Sequence, residues 1–181
     1  MWRSGGVAGS LESRIYRDTP PPRHSAMTPD DLMQLALDQA NLALHHDEVP
    51  IGAVLYHVPS ARILGQAHNR RILDRDPTAH AEILAIRQAA QTLGDWRLED
   101  TILAVTLEPC PMCAGAIVNA RIPHLVYGCP DPKAGAVATL YQLCTDPRLN
   151  HRVKIDAGLR ATECSTLLTQ FFAAKRALGK K

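Results

Sequence analysis

Long apolar runs are missing from this sequence. No stretch approaches the roughly 20 residues that a bilayer-spanning helix needs, and the first residues lack the apolar core of a secretory signal. Membrane insertion and secretion are therefore not expected, and the cytoplasm is the expected compartment. An excess of charge is also missing: the net charge is +2, from 20 basic and 18 acidic residues. Residues 1–27 hold four of the bases (Arg3, Arg14, Arg17, Arg23) and two of the acids (Glu12, Asp18), so the remainder balances. Global attraction to nucleic acid is excluded, and any RNA binding must come from a local cluster of bases. A disulfide framework is not indicated either. The five cysteines, Cys110, Cys113, Cys129, Cys144 and Cys164, are odd in number, and without a secretion signal they are expected to stay reduced. The close pair Cys110 and Cys113 then suggests metal or redox chemistry.

What is present suits one compact domain: 181 residues, of which 46% are hydrophobic, can bury a substantial core. Residues 1–27 are rich in Gly, Ser, Arg and Pro without a sustained period, and read as a disordered leader before a single domain over 28–181. A targeting segment is the alternative, which Glu12 and Asp18 fit poorly; Met27 is a second candidate start. Thr28-Pro29-Asp30-Asp31 carries a helix cap, a first-turn proline and two first-turn acids. Met33, Ala36, Leu37, Ala40 and Leu44 continue at helical spacing. Strands are expected at Ile51–His57, Ala61–Ala67, Thr101–Thr106, His124–Gly128 and Arg152–Asp156, with the first two forming a hairpin. Helices are expected from His80 to Gly94, from Cys110 to about Asn119, around Ala136–Leu143, and through Cys164 to Phe172. The long connection after Gly128 favours a crossover and parallel pairing. The pattern predicts an α/β protein with a mixed sheet and helices on both faces.

The chemistry lies in His80-Ala81-Glu82 and Pro109-Cys110-Pro111-Met112-Cys113. One imidazole and two thiolates suit zinc, and three protein ligands leave one tetrahedral corner for water, as catalytic zinc requires. A helix N-terminus favours both thiolates, and Pro111 fits a first turn. Glu82, two residues from His80, shares no lateral helix face with it; both converge only beyond the helix end, where Glu82 can act on the water as general base and acid. Zinc brings the pKa of water from about 15.7 to near 7. Addition to an amidine carbon then releases ammonia and leaves a carbonyl. The other readings are a thioredoxin-like redox pair, which leaves His80 and Glu82 without a role, and a structural zinc with Cys129, Cys144 or Cys164 as fourth ligand.

With these residues in view, the chain resembles the bacterial tRNA adenosine deaminases of the cytidine deaminase-like superfamily, from about Asp30 to Arg176. The matching stretches include Val49–Val54, Asn69-Arg70, Asp76–Glu82, Thr106–Cys110, Met112–Ile117, Asp131–Ala136, Leu149–Arg152 and Glu163–Phe172. Cytidine and guanine deaminases share the zinc signature; the Leu149-Asn150-His151-Arg152 segment, paired with a C-terminal helix bearing Phe171 and Phe172, points to the tRNA branch. The resemblance implies a three-layer α/β/α sandwich with a mixed five-stranded sheet, one Zn2+ per subunit held by His80, Cys110 and Cys113, and Glu82 as the proton carrier. It further implies conversion of the wobble adenosine of an arginine tRNA anticodon to inosine, by a homodimer. Asn69 is expected to hydrogen-bond the purine, Pro77 and Ala79 to line its pocket, and the Ala81 backbone to contact the base.

Candidate RNA contacts are Arg70, Asn150, His151, Arg152, Phe171 and Phe172. Arg71, Arg75, Lys154, Lys175, Arg176, Lys180 and Lys181 could extend the positive patches. One phenylalanine is expected in the core and the other stacked on a nucleotide. Glu108 is expected to brace the metal loop by hydrogen bonding, and His45, His46 and His57 to be surface or packing residues. His68 and Pro132 depart from the family pattern. The competing functions are deamination of guanine or another free base or nucleoside, and a zinc-stabilised RNA-binding protein without turnover.

Overall fold

A computed structural model describes residues 26–179. The leader expected over 1–27 lies outside the described residues apart from Ala26 and Met27, and Met27 is half-buried against the core. Helix α1 (Pro29–Leu44) begins at a capping box. The Thr28 hydroxyl accepts the Asp31 N–H at 3.2 Å, and the Asp31 carboxylate accepts the Thr28 N–H at 2.9 Å.

Strands β1 (Gly52–His57), β2 (Arg62–His68), β3 (Thr101–Leu107), β4 (His124–Cys129) and β5 (Lys154–Ala157) form one sheet in the order β2-β1-β3-β4-β5. β1 runs antiparallel to β2 and β3, whereas β3, β4 and β5 are parallel. The sheet is therefore mixed, as expected. The period-2 alternation of the strands sorts their side chains into two cores. Ala53, Leu55, Leu103, Val105, Leu125 and Tyr127 face one side, where α2 (Ala81–Leu93) and α3 (Pro111–Asn119) lie. Val54, Tyr56, Ala104 and Val126 face the other, against α1 and α4 (Ala161–Ala177). Burial on both faces is why these strands read as unbroken apolar runs.

Two expected elements differ. Residues 136–143 form no helix: the backbone N–H groups of Val137, Ala138 and Thr139 donate to the Glu108 carboxylate, and the following ones leave helical register, Leu140 N–H bonding the Gly135 carbonyl and Leu143 N–H the Ala136 carbonyl. Only a single 3-10 turn, Leu143–Thr145, follows. β5 starts at Lys154, two residues later than expected, since Val153 N–H is held by the Cys144 carbonyl at 2.9 Å and Lys154 N–H is the first to reach the neighbouring chain, at Pro123.

The β3-α3-β4 crossover and the β2-to-α2 connection carry the N-termini of α2 and α3 to one edge of the sheet. α2 sits backbone to backbone on β2: a Cβ at Gly65 would overlap the Ala85 carbonyl oxygen. Gly65→Ala should therefore cost about 1–3 kcal/mol, seen as a lower urea midpoint and a thermal midpoint roughly 2–4 °C lower per kcal/mol. A wild-type midpoint would show that α2 is not seated this closely.

Candidate metal centre and active site

Each metal-binding candidate sits at a helix start. His80 is the N-cap of α2, with extended backbone and no side-chain cap bond, so its imidazole is available to a partner. Cys110 is the N-cap of α3, Pro111 follows it, and Cys113 occupies the third helical position. N-cap and N3 side chains converge at a helix end. His80 Nδ1 lies 3.7 Å from Cys110 Sγ and 3.6 Å from Cys113 Sγ. At bond lengths of about 2.3 Å to sulfur and 2.0–2.1 Å to nitrogen, tetrahedral zinc ligands stand roughly 3.6 Å apart, so the three donors fit zinc. Among the described residues, His80, Cys110 and Cys113 form the only such cluster. Cys129, Cys144 and Cys164 are buried outside it, which removes them as a fourth ligand.

The electrostatics agree with a cation site. The hydrogen bond from Cys113 holds the Cys110 thiol down to about 4, with His80 assisting against burial. Cys113 is driven upward by the same bond and by its own burial. Glu82, 4% exposed, stands beside this cluster in the first turn of α2. Burial raises its pKa, and its Oε2 has no hydrogen-bond partner among the described residues. A buried carboxylate oxygen without a protein partner is costly unless a ligand supplies one.

His80, Glu82 and Cys110 open into a cavity of about 640 Å³ that Asn69 also lines. Its exposed rim includes Arg71, Lys133, Phe172 and Arg176. Asn69 is buried, and its Oδ1 accepts the Ala81 N–H at 3.0 Å.

A family model for MafB19-like deaminases matches residues 27–176. The tRNA-specific adenosine deaminase of Streptococcus pyogenes serotype M1 is 47% identical over 144 residues, covering 80% of this chain and 83% of that protein. The tRNA-specific adenosine deaminase of Bacillus subtilis (strain 168) is 46% identical over 156 residues, covering 86% and 94%. A solved structure from studies of A-to-I editing by tRNA:A34 deaminases at the wobble position of transfer RNA is 45% identical, with a TM-score of 0.72 over 76% of this chain and 98% of that one. The chain belongs to the tRNA-specific adenosine deaminases.

Not every residue expected from this deaminase family reaches the cavity. Pro77 is exposed on a turn and does not line it. Ala79 and Ala81 are buried, and their backbone groups are committed within the chain: Ala79 to Asp76 and Arg70, Ala81 N–H to Asn69. Arg70 forms a bidentate pair with Asp74, at 2.9 and 2.8 Å, and it is Arg71 that reaches the rim. Asn150 accepts from Arg121 at 2.8 Å, and the His151 ring bonds the Ile122 carbonyl at 2.8 Å, so this segment docks on the α3-to-β4 turn. Arg152 is exposed and away from the cavity. The phenylalanines divide, Phe171 half-buried beneath Lys175 and Phe172 exposed on the rim. Lys180 and Lys181 lie outside the described residues. Lys133 was not singled out from the sequence; a lone lysine between turn residues carries no signal of its own.

Glu108 directly follows β3 and fastens the loop across from it. It accepts backbone N–H groups from Asp131, Val137, Ala138 and Thr139, and the Thr139 hydroxyl as well. Gly135 is needed opposite, since a Cβ there would overlap the carboxylate. Burial alone would raise the Glu108 pKa, but the Thr139 hydroxyl and the backbone donors outweigh it and hold the group below its ordinary value. Its stabilising contribution is therefore complete above the unfolded pKa near 4.3 and is lost as pH falls through the lower folded value. Glu108→Gln should cost about 1–3 kcal/mol at pH 7, with the gap to wild type narrowing in urea titrations at acid pH. A gap independent of pH would exclude the charged form as the source.

Proposed function

We propose that this deaminase converts adenosine to inosine hydrolytically at the wobble position of a tRNA anticodon, using one zinc ion per subunit and acting as a cytoplasmic homodimer. The observation that carries the reaction is Glu82: a buried carboxylate oxygen without a protein partner, beside three soft donors that fit zinc, at the base of a cavity with a basic and aromatic rim.

His80, Cys110 and Cys113 would hold the ion, which supplies Lewis acidity and lowers the pKa of water from about 15.7 to near 7. Water adds to C6 of adenine. Glu82 takes one proton from the water and hands it to the exocyclic amine; the C6–N bond breaks, ammonia leaves, and the remaining hydroxyl proton passes to ring N1, leaving the carbonyl of inosine. A pKa raised by burial suits a group that must both accept and release a proton near neutrality. Asn69, its oxygen held by Ala81, offers amide N–H donors to a ring acceptor of the purine. The resemblance alone supports Pro77 and Ala79 as pocket-lining residues and the Ala81 backbone as a contact to the base.

A cavity of about 640 Å³ suits a nucleoside taken out of its stack. An anticodon loop presents its bases unpaired, which lowers the cost of that step. Phe172 can stack on a flanking base while Arg71, Lys133 and Arg176 meet phosphates. Arg70, Asn150, His151 and Arg152 are weaker candidates, three of them engaged within the chain. The dimer is supported by the resemblance and by apolar side chains left exposed in one chain, among them Ile72, Leu73, Leu140 and Tyr141. The alternative substrate is guanine or another free base.

Incubation with an ACG anticodon stem-loop should yield inosine in the RNA; ammonia from guanine without inosine in RNA would transfer the assignment to a free-base deaminase. Glu82→Ala should lose about 10²–10⁴-fold in rate while elemental analysis still finds zinc. Undiminished turnover in that variant would remove Glu82 from the chemistry. His80→Ala and Cys110→Ser should lose the metal and the activity together, and chelation of the wild-type protein should be reversed by zinc; an active, zinc-free protein would overturn the mechanism.

A further inference from the structure

Three successive residues between α1 and β1 grip three parts of the fold. The His46 ring stacks on His68, at the end of β2, with centroids 5.9 Å apart and planes 13° apart. Asp47 pairs with Lys175 of α4. Glu48, only 1% exposed, accepts through Oε1 the backbone N–H groups of Ile72 at 2.5 Å and Leu73 at 2.9 Å.

The segment that Glu48 holds is Asn69–Asp76; its start is fastened by Asn69 N–H to the Ile51 carbonyl, Arg70 N–H to the Ala79 carbonyl and Ala81 N–H to Asn69 Oδ1, and beyond Arg70 the Glu48 carboxylate is the main hydrogen-bonded anchor among the described residues. Its inner bonds are mostly local turns, such as Asp74 N–H to the Arg70 carbonyl and Arg75 N–H to the Ile72 carbonyl. Within one chain the side chains of Ile72 and Leu73 are 62% and 45% exposed, so hydrophobic burial inside the subunit does little to seat them. Yet this segment presents Asn69 and Arg71 to the cavity, and α4 presents Phe172 and Arg176 to the same cavity. One short turn thus ties both groups of cavity-lining residues to a common frame.

We propose that Glu48 is a positioning residue for substrate, acting through the backbone of Ile72 and Leu73 to aim Arg71 at the cavity that Asn69 and α4 also line. Glu48 touches neither the base nor the metal ligands; it lowers the entropy that the segment would otherwise lose on binding RNA. This rests on the adenosine-deaminase reading for its kinetic consequence, but not for its structural one.

The test uses the zinc-loaded full chain with Glu48→Ala and Glu48→Gln, the latter keeping an acceptor oxygen for the same two N–H groups. With the ACG stem-loop, Glu48→Ala should raise KM about tenfold or more, as expected for two lost hydrogen bonds, with kcat changed by less than about threefold. Glu48→Gln should restore most of the KM. Amide exchange at Ile72 and Leu73 should quicken in Glu48→Ala while α2 keeps its protection and zinc is retained. If Glu48→Ala does not accumulate as folded protein, Glu48→Asp, one methylene shorter, should show the same KM shift. The proposal is overturned if KM is unchanged, if kcat falls while KM stays constant, if Glu48→Gln is no better than Glu48→Ala, or if exchange at Ile72 and Leu73 does not change. Should the wild-type protein fail to act on the stem-loop, the adenosine reading fails by itself, and amide exchange alone decides the role of Glu48.

Discussion

Everything at the site depends on two helix N-termini meeting at one edge of the sheet. α2 follows β2 and α3 follows β3, and the order β2-β1-β3 puts a single strand between them. Two strand spacings amount to roughly 9.6 Å, which matches the 8–10 Å at which helices pack side by side. Residues at the two N-caps, His80 and Cys110, are thereby brought together without distortion, and Cys113 joins them from the third position of its own helix. Free N–H groups and helix dipoles at the same place favour negative charge on sulfur and carboxylate, and the metal draws on that preference. Close seating of α2 on β2 at Gly65 sets one side of this arrangement, and the β3-α3-β4 crossover sets the other.

Three buried glutamates show how surroundings assign a role to one residue type. Glu108 receives donors from five groups, four of them backbone, and is held ionised as a structural pin. Glu48 receives two backbone donors and fastens a segment that has little hydrophobic anchorage. Glu82 keeps an oxygen unpartnered, and its burial favours the protonated form. Desolvation acts on each of them, and the count of donors decides whether the outcome is a fixed anchor or a movable proton.

The consequence for substrate handling is a division between a rigid interior and a rim drawn from separate pieces of chain. The metal donors and Glu82 sit on helix starts supported by the two cores, where little can shift. Arg71, Lys133, Phe172 and Arg176 come from two loops and from α4. Such a rim suits RNA, whose backbone positions vary more than the base that must be presented to the chemistry.

The candidate metal cluster and the place of Glu82 beside it were legible in the sequence because each half is local: an N-cap, a first-turn proline and a third-position cysteine are read within four residues, and His80 and Glu82 within three. The strands and most helices were legible for the same reason, since apolar period and cap chemistry are properties of short windows. The piece at 136–143 carries a helical apolar period, but its path follows the anchorage of its first N–H groups on Glu108, 29 to 31 residues away, which no short window shows. Likewise the inward engagement of Asn150 and His151 and the commitment of Ala81 N–H to Asn69 are hydrogen bonds between separate segments, whereas Arg70 yields the rim to Arg71 through a local pair with Asp74, four residues on. By itself the sequence determined the deaminase family and the residues that form the candidate metal cluster. Only the tertiary structure decided which polar groups are left over to meet a substrate, because the fold, and not the neighbouring sequence, supplies the partners that claim most buried donors and acceptors and leaves Glu82 Oε2 without one among the described residues.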